Sequence, residues 1–356
     1  MVTRRMRILI TGNMGYVGSV LVGHLRSRYP GLSLIGYDSG FFAHCLTGAR
    51  TPPENVLDQQ HFGDVRELPS KLLDGIDAVV HLAAISNDPM GRRFESVTDE
   101  INLRASVAIA EAARVAGVRS YVFASTCSIY GSANGVARRE TDEVAPLTAY
   151  ARSKIDAERL LQEMSRREMT VTCLRFATAC GMSPRLRLDL VLNDFVACAL
   201  ASRQIEVLSD GTPWRPLIDV RDMARAIEWA IFRKAENGGL FLAINAGSDD
   251  CNYQVRALAE AVADAVPGSE ISINRDAAPD RRSYKIDFSL FRTLAPEFLP
   301  KVTLTESITT VQKGLTSMDF NDSAFRDSQH VRLKVLEEHI AAGRLTRDLN
   351  WTTPLY

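Results

Sequence analysis

Short runs of consecutive apolar residues alternate with stretches whose apolar positions recur every three or four residues. The runs Arg7 to Thr11, Ser33 to Tyr37, Ala78 to Ala84, Arg119 to Thr126 and Thr170 to Phe176 lack the in–out alternation of a sheet with one solvated face, so they read as strands buried on both sides. Helical periodicity fills the gaps at Ser19 to Leu25, Glu100 to Val115 and about Ala149 to Arg166. Strand and helix in alternation imply a parallel sheet covered on both faces. Past residue 176 the regularity weakens. Pro184 to Leu190, rich in arginine and leucine, reads as a loop, and so does Gly211 to Asp222. Met223 to Arg233 is helical and Phe241 to Asn245 a strand. Val331 to Leu345 forms a helix with Leu333, Leu336 and Ile340 on one stripe, to be packed on the body or on a neighbouring subunit.

The turn after the first strand changes this from a fold to a chemistry. Gly12-Asn13-Met14-Gly15-Tyr16-Val17-Gly18 lies between a strand and a helix, where a dinucleotide fingerprint belongs. Gly12 permits the tight turn, Gly15 lets the backbone approach a pyrophosphate, and Gly18 allows close helix–strand packing. Asp38 closes the second strand, twenty residues after Gly18. A carboxylate there accepts from adenosine ribose hydroxyls and repels a 2′-phosphate, which favours NAD over NADP. Asp64, in Gly63-Asp64-Val65 at a third strand end, is placed to bind the adenine amino group, with a turn or cap as its alternative.

The fold class is therefore α/β, a Rossmann-type doubly wound parallel sheet with a smaller C-terminal α/β substrate-binding domain. Residues 1–174 form the NAD-binding domain, about 215–245 return to it, and 175–214 with 246–356 form the substrate-binding region. The length, 356 residues, suits one large or two smaller domains. A formal charge of −1 offers no basic surface for nucleic acid or acidic lipid. No apolar run approaches the roughly 18 residues of a membrane span. The basic start, Met1 to Arg7, is followed by a strand rather than a signal-peptide core, so the expected location is cytoplasmic. Six cysteines without Cys-x-x-Cys spacing read as reduced thiols, and no histidine pair has ligand spacing, so no metal is expected.

Tyr150 and Lys154 stand one turn apart on a predicted helix. A tyrosine ionises near ~10, too high for a base at neutral pH. An ammonium about 4 Å away contributes roughly 4 kcal/mol at an effective dielectric near 20, enough to lower that value by a few units. The expectation is a phenolate that takes a proton from a substrate alcohol while the dinucleotide takes the hydride.

Taken with His81-Leu82-Ala83-Ala84, Asn102, Ser125-Thr126 before Ile129-Tyr130-Gly131, and Arg215-Pro216-Leu217-Ile218-Asp219-Val220-x-Asp222, these motifs give a chain that resembles the extended short-chain dehydrogenase/reductases, the NAD-dependent nucleotide-sugar epimerases and dehydratases, over about residues 6 to 320. The resemblance implies that Tyr150 is the catalytic base, that Lys154 binds the nicotinamide ribose, and that Thr126 bonds the reacting sugar oxygen. It places Gly12, Asn13, Met14, Gly15, Tyr16, Val17, Gly18, Asp38, Asp64, Val65, Leu82, Ala83, Ala84 and Asn102 at the cofactor, with Asn102 supporting local backbone. Ser86, Thr126, Thr178, Arg215 and Arg282 then face a nucleotide-diphosphate sugar, the arginines on its diphosphate. For Arg215 a surface salt bridge is the alternative, and for Arg281 and Arg282 a solvated pair. A homodimer built on the helices around Asn102 to Val115 and Tyr150 to Glu163 is implied too.

Departures from the family narrow the reaction. Dehydratases carry an Asp-Glu pair after the threonine, where this chain has Cys127-Ser128. Without a carboxylate there, C5 proton removal lacks its usual acid–base pair. Cys127 as an acid/base is the alternative. The expected activity is oxidoreduction at one sugar carbon, C4, in a 4-epimerase. The alternatives are a 4-ketosugar reductase, then a dehydratase, and from a different class a non-catalytic dinucleotide sensor. The loop from Gly40 to Gln60, longer than a simple connection, is expected to cover cofactor or substrate.

Overall fold

Ile8, Leu9 and Ile10 are all completely buried, so the strand Arg7–Thr11 has no solvated face and sits in the middle of its sheet. The computed structural model describes residues 5–132, 135–164, 169–274, 276 and 282–353. Its large sheet has seven parallel strands in the order Phe241–Ala246, Thr170–Phe176, Ser120–Thr126, Ala78–His81, Arg7–Thr11, Ser33–Asp38, Gln59–Phe62. Chain order reverses on either side of Arg7–Thr11, which pairs with both Ser33–Asp38 and Ala78–His81. That reversal is the switch point where open α/β sheets place ligands, outside the carboxyl ends of the strands.

Helices cover both faces. Tyr16–Arg28 and Val220–Phe232 pack on one side, in a core with Leu21, Val22, Ile227 and Trp229. The other side holds Ser106–Val115 and Ala149–Met164, with Ile109, Ala157 and Leu161 in its core. A third core joins the helices Val191–Ala201, Val255–Ala265 and Leu304–Thr316 through Phe195, Leu258 and Val311.

Several expectations from the sequence change. Gly211 to Asp222 is not one loop: Trp214–Asp219 is a strand, parallel to Thr178–Cys180 and antiparallel to Asn252–Gln254. Buried Leu217 and Ile218 drive that pairing, and the Asp219 side chain, accepting from Arg221 N, starts the next helix at Val220 rather than Met223. Of residues 215–245, then, only the helix and the final strand belong to the large sheet's layers. The predicted Glu100 to Val115 helix is π-helical from Glu100 to Ala105 before its α-helical part. The C-terminal helix is shorter than predicted, Arg332–Ala341, and buries Val335, Leu336 and His339. Leu336, Leu345 and Leu349 enter the core of the large sheet alongside Leu9 and Ile35. The tail therefore packs both on the large sheet and, through Phe325, Arg326 and Arg332, on residues 185–206.

Candidate active site

One cavity of about 850 Å³ opens at the switch point. This is the size of sites that enclose organic ligands. Gly12, Gly15, Tyr16, Val17 and Gly18 line one end, with Asp38, Asp64, Val65, Leu82, Ala83 and Ala84. Ser86, Thr126, Tyr150, Lys154, Thr178, Arg215 and Arg282 line the same cavity.

The glycine turn is built for close approach. Gly12 has φ +73°, and a Cβ there would lie 2.6 Å from Ala83 N. A Cβ on Gly18 would lie 2.5 Å from Asn13 Cα. No side chain caps the helix that follows, so the first-turn N–H groups of Tyr16, Val17 and Gly18 are left toward the cavity. Asp38 is buried and takes the Met14 N–H (2.9 Å) on one oxygen and the Gly40 N–H (2.8 Å) on the other. Burial raises its pKa while those two donors pull it down. The carboxylate thus ties the glycine turn to the second strand and still presents lone pairs at the cavity. Glycine cradle, open helix terminus and strand-end acid together fit a dinucleotide.

Three residues expected at the cofactor sit elsewhere. Asn13 is fully buried beneath the turn, donating to Gln60 Oε1 at 2.6 Å, and Met14 is buried as well; neither lines the cavity. Asn102, in the π-helical turn, clamps the backbone of Ile85, accepting from its N–H (2.8 Å) and donating to its carbonyl (3.0 Å). It holds the loop that carries Ser86 rather than touching a ligand. Asp64 does line the cavity, but its carboxylate caps the turn Val65–Glu67 and pairs with Arg66 at 2.6 Å and 3.0 Å. This is the arrangement of the cap alternative.

Electrostatics at the centre also differ from expectation. Tyr150 is pushed up to about 12, first by burial and then by Asp88, while the hydrogen bond with Thr126 and the charge of Arg187 act downward. Lys154 is not among the groups acting on it. The ammonium lies 4.4 Å from the centre of the Phe123 ring, and burial draws it down to about 7. Tyrosine and lysine line the same cavity, but burial penalises both charged forms, and the attraction argued from spacing does not offset it.

This has a measurable consequence. Between about 7 and 10.5 the unfolded chain holds a proton on Lys154 that the folded chain has lost, so this group's contribution to stability rises with pH across that window. Urea unfolding of the wild type, compared with Lys154→Met, should show the difference growing in the wild type's favour from pH 7 to 10. A difference flat with pH would place the ammonium in water.

Thr126 ends the strand Ser120–Thr126, and its hydroxyl bonds to both N–H (3.1 Å) and Oγ (3.0 Å) of Ser128. Ser128 lines the cavity, whereas Cys127 is buried in the core with its thiol on the Arg175 carbonyl at 3.1 Å and its pKa raised by burial. That excludes Cys127 from an acid/base role at this cavity. Arg282 pairs with Asp88 at 2.8 Å, and Asp88 also accepts from Thr148 at 2.7 Å. Arg215 lines the cavity and donates to the Trp214 carbonyl at 2.9 Å. Arg281 lies outside the described residues.

Arg187 went unnoticed in the sequence. It is buried, holds Asp189 with two bonds (2.9 and 2.8 Å), and donates to Ser86 Oγ at 3.0 Å. The arginine-leucine run it belongs to was the available signal, hidden because it reads as a solvated loop. Among the described residues no cluster of three or more His, Cys, Asp or Glu is placed to hold a metal, and no helix is long and apolar enough to cross a membrane. All six cysteines are free thiols, five of them buried.

Comparison with known proteins agrees with this geometry. The uncharacterized UDP-glucose epimerase YtcB of Bacillus subtilis is 28% identical over 230 residues, 62% of this chain and 71% of that one. The UDP-glucose 4-epimerase of Mycolicibacterium smegmatis is 28% identical over 319 residues, 85% of this chain and 96% of its own. The structure of MoeE5 in complex with UDP-glucose and NAD superposes with a TM-score of 0.74 at 26% identity, covering 88% of this chain and 99% of MoeE5. Residues 8–247, from the first strand to just past the last strand of the large sheet, match the model of one family, and the chain belongs to it: the NAD dependent epimerase/dehydratase family.

Proposed function

We propose that this enzyme inverts a nucleotide-diphosphate sugar at C4, with NAD retained through the cycle. The observation that carries the reading is that Thr126, Tyr150 and Lys154 line one cavity with the glycine turn, beside Ser128 instead of an acid. When bound, NAD supplies hydride-accepting chemistry. The chain's part is to hold and move one proton. Thr126 can donate or accept as the sugar oxygen changes between alcohol and carbonyl. Tyr150 carries its proton at neutral pH, and the chain's own means of easing its removal are the Thr126 bond and the Arg187 charge. Lys154 is buried within the same wall, its amine close to losing its proton at neutral pH.

A dehydratase needs a second acid–base group at the reacting carbons. The carboxylates nearest Tyr150 are engaged: Asp88 with Arg282 and Thr148, and Asp189 with Arg187 and Asn87. This disfavours elimination. Thr178, Ser86, Arg215 and Arg282 are then the sugar and diphosphate contacts. Residues 1–174 with the later helix and strand hold the dinucleotide, and the region around Val191–Ala201 holds the nucleotide. Half-exposed Leu160 and Leu147, on and beside the Tyr150 helix, suit a homodimer contact, and we place the enzyme in the cytoplasm.

Purified enzyme incubated with UDP-glucose, UDP-GlcNAc, GDP-mannose or dTDP-4-keto-6-deoxyglucose, without added cofactor, should convert one of the first three to its C4 epimer with no net redox. Turnover only of the keto sugar, and only with added NADH or NADPH, would instead make the enzyme a reductase.

A further inference from the structure

Arg332 lies beyond residues 8–247, which match the family, yet it lines the same cavity as the glycine turn. It is 2% exposed. Its guanidinium stacks over the Phe42 ring at 4.8 Å and donates to two carbonyls, Arg185 (2.8 Å) and Gln329 (3.2 Å). Among the described residues it forms no ion pair. Two neighbouring buried arginines each have one: Arg185, behind the wall, with Glu54 at 2.6 Å and Arg187, on it, with Asp189 at 2.8 Å. Asp189, the acid nearest Arg332 in effect, is already held by Arg187 and Asn87. Of these three buried arginines, Arg332 alone has no carboxylate partner of its own among the described residues. An uncompensated buried charge is costly, and burial draws Arg332 down to about 10. A chain that keeps such a charge against a cavity leaves its counter-ion to the ligand.

Position says which ligand. Arg185, whose carbonyl receives Arg332, reaches Ser19 in the second turn of the helix Tyr16–Arg28 (3.1 Å) and the Phe42 carbonyl (3.2 Å). Phe42 follows Asp38 by four residues and lines the cavity. The tail holds this end in place: Trp351 donates to the Ser39 carbonyl at 2.7 Å, His339 bonds the Phe41 carbonyl at 3.1 Å, and Arg66 binds the Asp348 carbonyl (2.9 Å) and Asn350 Oδ1 (2.6 Å). Arg332 is therefore joined, through Arg185 and Phe42, to the segments that carry Asp38 and the glycine turn.

We infer that Arg332 supplies the counter-charge for the diphosphate of the bound dinucleotide, delivered to the cofactor end by a C-terminal strap. The inference rests on reading the cavity as a dinucleotide site. Calorimetric titration of the full-length chain, Arg332→Met and Arg332→Lys with NAD, and separately with UDP as a bare nucleoside diphosphate, tests it. Arg332→Met should bind NAD on the order of 10- to 100-fold more weakly, the scale of a lost charged hydrogen bond, with UDP affinity unchanged. Arg332→Lys should keep most of the affinity. Without nucleotide, Arg332→Met should melt no lower than wild type, because it removes an unpaired buried charge; a merely structural arginine would lower the melting temperature and leave NAD affinity alone. Equal NAD affinity in Arg332→Met and wild type overturns the inference, as does weakened UDP binding with NAD unaffected. A wild type that binds no NAD overturns the dinucleotide reading first, and this inference with it.

Discussion

Replacing Tyr150 with phenylalanine is expected to lower kcat by on the order of 10²- to 10⁴-fold, the range for losing a general acid–base group. The fold should tolerate the change. Thr126 keeps its bonds to Ser128, and the Tyr150 backbone and Cβ, unchanged in phenylalanine, keep their place against the helix Asp88–Arg93, where a Cβ added at Gly91 would meet Tyr150 Cβ at 3.2 Å. NAD affinity should also hold, since the glycine turn and Asp38 are untouched. Steady-state kinetics with the active sugar nucleotide, beside an NAD titration of the same preparation, give the two readings needed. A kcat within about 10-fold of wild type would move the proton transfer to another group and remove the basis for the C4 assignment. Loss of both kcat and NAD binding would show damage to the cavity rather than to the chemistry.

How far the sequence could be read depended on whether a feature was local. The glycine turn declares itself because a strand, three glycines and a helix are contiguous, and the physics is that of one turn. Asp38 follows by strand spacing, and a parallel sheet covered on both faces follows from alternation. Tyr150 and Lys154 are also local, and both do reach the cavity. Their electrostatics were misjudged, because spacing on a helix fixes which side a group faces but not how deeply it is buried. Here burial exceeds the pair's attraction and leaves the lysine over Phe123. Asp64 shows the same limit: its turn was readable, while the partner that occupies it, Arg66, is fixed to the tail almost three hundred residues away.

What escaped altogether was assembled from distant segments. Arg185, Arg187 and Arg332 acquire meaning only when the 40–54 loop, the 184–190 loop and the C-terminal helix converge. No periodicity marks such a wall, since its pieces lie in segments far apart in the chain. The long 40–60 loop likewise becomes intelligible as the surface that the tail grips through Ser39 and Phe41.

The same reasoning points to the largest expected loss of stability, at a pair no motif announces. Glu158, two turns along the helix from Tyr150, is 2% exposed and meets Arg175, 6% exposed, through three bonds of 2.7, 3.0 and 3.2 Å. Arg175 belongs to the strand beside Ser120–Thr126, and Ser125 Oγ donates to the same carboxylate at 2.5 Å. Glu158 therefore fixes the helix that carries the phenol against the strand end that carries Thr126. Glu158→Ala leaves the guanidinium buried and unpaired, a change expected to cost about 3–5 kcal/mol. The Arg175→Met/Glu158→Leu double replacement should recover much of that loss, because it removes both charges and fills the space. Urea unfolding midpoints of the two variants decide the matter. A single variant within about 1 kcal/mol of wild type would mean the charge escapes to water. If the double variant regains stability but not kcat, the pair's function is to hold Thr126 and Tyr150 in register.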